Sequence, residues 1–258
     1  MRSIIIIICI LLVINGVFLA YKLRKIDFTM CPTSGIKMSP KLTIKDISDW
    51  NIAQRKLTNM LREFVRICDN HDITNWWVTG GTLIGAVRHA GFIPWDGDID
   101  LAMMEDDYNK FKKVVQNELP DSMWFQSNET DKMFKNRYVP KIRDLHSCYL
   151  NTKELCHNGL QIDIFIYKKS SKMIVPIRSM NDIKIYSTDF ILPAGKKYFD
   201  DIEVNVPRYV DEYCKENFGD VIPKMPPISE RRPHEGEGYV DPLKTCDFHY
   251  DMYPEIYK

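Results

Sequence analysis

The amino-acid sequence predicts an α+β domain with one small mixed sheet flanked by helices, set behind an amino-terminal transmembrane helix. Three observations carry that prediction. A long apolar run lies near the amino terminus, helical and strand periodicities then alternate irregularly, and Asp-x-Asp stands inside a strand pattern close after a Gly-Gly turn. The regular strand–helix alternation of a doubly wound dinucleotide fold is missing. The 258 residues suit one anchor and one globular domain. With 45% hydrophobic and 27% charged residues the chain can bury a core. Lys plus Arg (35) equals Asp plus Glu (35), and no long basic run lies outside the amino-terminal flank, so nucleic acid is not an expected partner.

Ile4 to Tyr21 is interrupted only by Asn15 and Gly16. At about 1.5 Å per residue it reaches roughly 27 Å, close to the ~30 Å hydrocarbon core. A cleaved signal peptide has a shorter apolar stretch, so an uncleaved signal anchor is the expectation for residues 1–26. Lys22, Arg24 and Lys25 follow the span, and the positive-inside rule alone would put that side in the cytoplasm. Asn128-Glu-Thr130 is a glycosylation acceptor triplet, a pattern too frequent to fix the side.

Residues 27–48, with Pro32, Gly35 and Pro40 and no apolar period, read as a stem. A domain over 49–222 and an irregular tail over 223–258 follow. Ala53, Leu57, Leu61, Phe64, Val65 and Cys68 recur at helical spacing. Asn75–Thr79 predicts a strand, Thr82–His89 a short helix and Asp98–Met103 a half-buried strand. Glu105–Leu119 predicts a helix with acids in its first turn. Tyr138–Arg143 and Leu160–Tyr167 predict strands, and a last helix begins at Pro207 and stops before Gly219.

Cys31, Cys68, Cys148, Cys156, Cys214 and Cys246 lie beyond the apolar run without a CxxC pair, which argues against zinc. Disulfides are permitted, with Cys148–Cys156 the first pair to test; free buried thiols are the alternative.

Three features bear chemistry. Gly80-Gly81-Thr82 at a strand-to-helix turn lets a backbone approach a phosphate at a helix amino terminus. Asp98 and Asp100 share one strand face, about 6–7 Å apart at their α-carbons, and repel unless a cation lies between them. Their hard oxygens suit Mg²⁺ or Mn²⁺. Asp96 is a supporting ligand or a structural acid. Asp163, inside the apolar strand Gln161–Ile166, is costly unless paired or metal-bound. It is either a core acid bridged to an arginine or the third carboxylate, serving as a metal ligand, as general base on the acceptor hydroxyl, or as both. Arg88, Lys141 and Arg143 could absorb phosphoryl charge.

The block Trp77-Val-Thr-Gly-Gly-Thr-Leu-Ile-Gly-Ala-Val-Arg-His-Ala-Gly-Phe-Ile-Pro-Trp-Asp-Gly-Asp-Ile-Asp-Leu101 closely resembles the signature of the LicD family. That family includes bacterial phosphocholine transferases and animal fukutin-type ribitol-phosphate transferases. Val139–Arg143 and Gly159–Phe165 are similar to its second and third blocks, so the resemblance covers about residues 55 to 220. It implies a nucleotidyltransferase (polymerase β-like) fold, a divalent metal, a CDP-activated alcohol donor and a glycan or glycolipid acceptor. It also implies that Asp98, Asp100 and Asp163 hold metal, that Gly80, Gly81 and Thr82 lie at the phosphates, and that Arg88, Lys141 and Arg143 lie near them. For a eukaryotic member it implies a type II membrane protein of the ER or Golgi with a lumenal domain. A D-x-D sugar-nucleotide glycosyltransferase and a catalytically silent glycan-binding or scaffold protein remain the alternatives.

Overall fold

A computed structural model describes residues 40–41, 43–134, 139–150, 158–177, 185–219, 222, 224–233 and 240–257. The apolar run, most of the stem and Cys156 lie outside them. No helix among the described residues is long and apolar enough to cross a membrane.

Helix α1 spans Ile44–Asn70 and so begins inside the segment assigned to the stem. Thr43 sets its start: the hydroxyl accepts from Asp46 N–H, and the Asp46 carboxylate accepts from Thr43 N–H, a reciprocal capping box. Strand β1 (Trp76–Val78), helix α2 (Gly80–Arg88), strand β2 (Ile99–Met104) and helix α3 (Glu105–Glu118) follow as expected. Strands β3 (Met123–Gln126), β4 (Lys141–Asp144), β5 (Cys148–Tyr149) and β6 (Gln161–Ser170) come next. Then come β7 (Met173–Pro176), β8 (Tyr186–Ser187), a short helix α4 (Thr188–Ile191), the hairpin β9 (Gly195–Phe199) and β10 (Ile202–Val206), and helix α5 (Val210–Phe218).

The main sheet runs β1-β2-β6-β4-β3, with β7 added to β6 and β8 to β7. It is mixed, as predicted: β2 and β6 are parallel, while β1–β2, β4–β6 and β3–β4 are antiparallel. Alternation divides each strand between two faces. Ile99, Leu101, Met103, Ile162, Ile164 and Ile142 form one, and all six are fully buried. α1 and α3 cover that face, where Phe64 packs edge-on against Trp76 at 5.0 Å and lies 5.2 Å from Phe111. The other face carries Asp100, Asp163, Lys141 and Arg143.

The tail departs from expectation. β11 (Val240–Asp241) pairs with β5, and helix α6 (Asp247–Met252) follows, with His249 and Tyr253 buried. Cys246 is disulfide-bonded to Cys148, so the Cys148–Cys156 expectation is replaced by a bridge to the chain's far end. Sequence proximity favoured Cys156, but β5–β11 pairing brings Cys246 to within 5.0 Å of Cys148 at the α-carbons. Cys68 and Cys214 are free and buried.

Candidate functional site

Register assembles the site. Asp100 on β2 is the direct partner of Asp163 on β6, and Asp163 is the direct partner of Lys141 on β4. Direct partners point to the same face of a sheet, so the three form one row across three adjacent strands about 4.8 Å apart. Asp98 precedes β2 by one residue and adds its charge to the Lys141 environment. Asp98, Asp100 and Asp163 are all half-buried.

Lys141 Nζ stands 2.9 Å from Asp163 Oδ1 and donates to Gln161 Oε1 at 3.2 Å. Its side chain is fully buried. Burial pushes the Lys141 ammonium below the usual lysine range, and Asp163 opposes that by favouring the charged form. Asp163 is thus paired in the core, with lysine where the sequence reading named an arginine. Among the described residues no three of His, Cys, Asp and Glu converge as a metal-binding group.

The glycine turn approaches carboxylates closely. A Cβ on Gly80 would lie 2.4 Å from Asp100 Oδ2, and one on Gly81 would lie 2.4 Å from Asp96 Oδ2. Gly80 also holds φ +55°, a conformation that side-chain-bearing residues rarely adopt. The carboxylates lie at the amino terminus of α2, where the helix dipole favours negative charge. Thr82 supports the same geometry: its Oγ1 accepts from Asp100 N–H at 2.9 Å and ties α2 to β2 beneath the acid. Sequence reasoning assigned these three residues to phosphate; their neighbours in the fold are Asp96 and Asp100.

Two basic residues depart from expectation. Arg88 occupies the last turn of α2, about 12 Å along the helix from Gly80. There Arg88 Nε donates to His89 Nε2 at 2.9 Å and Nη1 to Lys224 O at 3.5 Å. Burial, then the Arg88 charge, lowers His89 to about 4, so the ring is neutral and accepts. Arg143 is fully buried and donates to Asn158 O, to His249 Nε2 at 3.2 Å and to Gln126 Oε1 at 3.5 Å. It anchors the carboxy-terminal segment. Lys141 and Arg143 do share a strand face, but only Lys141 reaches the acids.

Residues that sequence reasoning missed hold the loop before Asp98. The Trp50 ring covers Gly97 so closely that a Cβ there would lie 2.3 Å from Trp50 Cη2, and Tyr149 Oη donates to Gly97 O at 2.9 Å. Thr79, the cap of α2, lies 3.2 Å from the Tyr213 hydroxyl. A single Trp and two isolated Tyr carry no periodic or spacing signal that could have flagged them.

The donor set fits a hard divalent cation at Asp98 and Asp100: two half-buried carboxylates two residues apart, with glycines giving Asp100 and Asp96 room that a Cβ would fill. Asp163 enters as the partner of Lys141.

Residues 74–209 match the family described as LicD/FKTN/FKRP, nucleotidyltransferase domain. Lipopolysaccharide cholinephosphotransferase LicD of Haemophilus influenzae is 32% identical over 148 residues, 53% of this chain and 50% of that protein. Mouse ribitol 5-phosphate transferase FKRP is 50% identical over 39 residues, 15% of this chain and 8% of that one. The match thus spans about half the length of the bacterial relative. Among solved structures, ANT(2")-Ia with adenylyl-2"-tobramycin is similar at a TM-score of 0.35 and 11% identity, over 61% of this chain and 76% of that one. The family model covers more than half of the residues and includes every acid of the row, and the chain belongs to the LicD family.

Proposed function

We propose that the protein transfers a phospho-alcohol, of the phosphocholine or ribitol-phosphate kind, from a CDP-activated donor to a glycan hydroxyl and releases CMP. The observation that carries this reading is the Asp100–Asp163–Lys141 row beside Asp98 and the Gly80-Gly81 turn. The names of the relatives, a cholinephosphotransferase acting on lipopolysaccharide and a ribitol 5-phosphate transferase, support the transferred group.

Asp98 and Asp100 would hold Mg²⁺ or Mn²⁺, which supplies charge neutralisation to phosphate oxygens when bound. The acceptor oxygen attacks the phosphorus that carries the alcohol. A new O–P bond forms, the P–O bond to CMP breaks, and the acceptor proton passes to Asp163. Lys141 holds Asp163 Oδ1, so the ion pair fixes the carboxylate for that proton transfer. Thr82 fixes Asp100 through its backbone. Preorganised charges of this kind are worth about 3–4 kcal/mol each to the transition state. The Cys148–Cys246 disulfide supports an oxidising, lumenal setting for the domain, and the run Ile4–Tyr21 supports its membrane anchoring.

The test is calorimetric titration of the full-length protein with CDP-choline and CDP-ribitol, with and without Mn²⁺, using Asp98→Asn as control. Metal-dependent binding of one donor, lost in the variant, is expected. Binding of UDP-sugars instead would favour a D-x-D glycosyltransferase. Metal-independent glycan binding with no donor affinity would favour the silent scaffold.

A further inference from the structure

The geometry points to Tyr149 as a positioning residue for Asp98, locked in place by the carboxy-terminal segment through the Cys148–Cys246 disulfide. The inference rests on the metal site of the proposed function and adds residues outside the acid row to it.

Gly97, immediately before Asp98, is held from two sides. Trp50 of α1 packs on its α-carbon, and the buried Tyr149 hydroxyl donates to its carbonyl at 2.9 Å. The loop from Asp96 to Asp98 therefore has one polar anchor on Tyr149 and a second through Gln54 Nε2, which donates to Asp96 O at 2.9 Å. Without those anchors the peptide that aims Asp98 is free to rotate, and the Asp98–Asp100 spacing is no longer fixed.

Tyr149 is itself immobilised by groups distant in sequence. Its N–H donates to Asn158 Oδ1 at 2.7 Å, and Asn158 Nδ2 donates back to Tyr149 O at 3.1 Å. Val240 of β11 is its strand partner. The preceding residue, Cys148, is bridged to Cys246, and Lys56 Nζ joins Asp144, His146 O and Pro242 O within 2.9 Å. The anchoring segment 240–257 lies outside the residues matched to the family. A run of contacts thus leads from Cys246 through Cys148, Tyr149 and Gly97 to Asp98.

The experiment measures Mn²⁺ binding to the full-length protein by electron paramagnetic resonance at 25 °C, with thermal melts to confirm folding. Tyr149→Phe removes one buried hydroxyl and keeps the ring; a hydrogen bond of ordinary net strength then predicts about five- to tenfold weaker Mn²⁺ binding. Tyr257→Phe, which removes a hydroxyl 3.3 Å from His249 Nδ1, is the control and should bind Mn²⁺ like the unaltered protein. Cys246→Ser should weaken binding in the same direction as Tyr149→Phe, so the idea stays testable if one variant does not fold. Unaltered Mn²⁺ affinity in folded Tyr149→Phe, or equal weakening in Tyr149→Phe and Tyr257→Phe, would overturn the positioning role alone. An unaltered protein that binds no Mn²⁺ would overturn the metal reading itself and this role with it.

Discussion

Replacing Lys141 with Met removes the ammonium and keeps most of the side chain's length, so the change isolates charge from packing. Lys141 is fully buried, and the Asp163 side chain is 13% exposed, with the pair at 2.9 Å. Breaking such a pair by deleting one member leaves an uncompensated carboxylate, at a cost of about 3–5 kcal/mol. In a domain of this size each kcal/mol lowers the melting temperature by about 2–4 °C, so a drop of about 6–20 °C is expected. The double variant Lys141→Met/Asp163→Leu replaces both charges with apolar groups and should recover most of that loss, since apolar replacement of a buried pair is often neutral. Urea unfolding followed by circular dichroism on the four proteins of the cycle gives the coupling directly. A single-variant loss below about 1 kcal/mol, or a coupling near zero, would refute the claim that the row is held together by this ion pair.

Thr82→Val should cost about 1–3 kcal/mol, because Asp100 N–H loses its acceptor while the side-chain shape is kept; a melt indistinguishable from the unaltered protein would count against Thr82 as the support of Asp100. His89 predicts a pH dependence. Its ordinary value of 6.5 is lowered to about 4 by burial and then by Arg88, so the unfolded chain binds the proton more readily. The stability it contributes is complete above pH 6.5 and is lost as pH falls from 6.5 through about 4, by at most about 3 kcal/mol. His89→Gln should flatten the stability curve across that window, and parallel curves for the two proteins would refute the assignment.

The sheet was legible because its strands carry opposite chemistry on alternate residues. Ile99 and Leu101 against Asp100, and Ile162 and Ile164 against Asp163, could be sorted to two faces by counting. Helix α1 was legible from its apolar spacing, though not its start, since Thr43 and Asp46 stood in a stretch whose prolines suggested a stem. The shared face of Asp100 and Asp163 was legible; their partners were not. The pairing of Asp163 with Lys141 depends on strand order, and no local pattern gives the order β2-β6-β4. Arg143 followed the same two-residue spacing as Lys141, yet its place is decided by His249 and Asn158, which arrive from elsewhere in the chain. The tail looked irregular because its strand and helix are short and draw their stability from β5 and the disulfide.

The parallel pairing of β2 with β6 has a consequence for biosynthesis. Asp98 and Asp100 are made long before Asp163, and at about 5–20 residues per second the ribosome needs several seconds to supply β6. Until then the edge of β2 that β6 will cover has no strand beside it, and the acids have no lysine next to them. A nascent chain at that stage presents the family's signature block as an open strand edge with clustered negative charge, the form in which a folding helper would meet it.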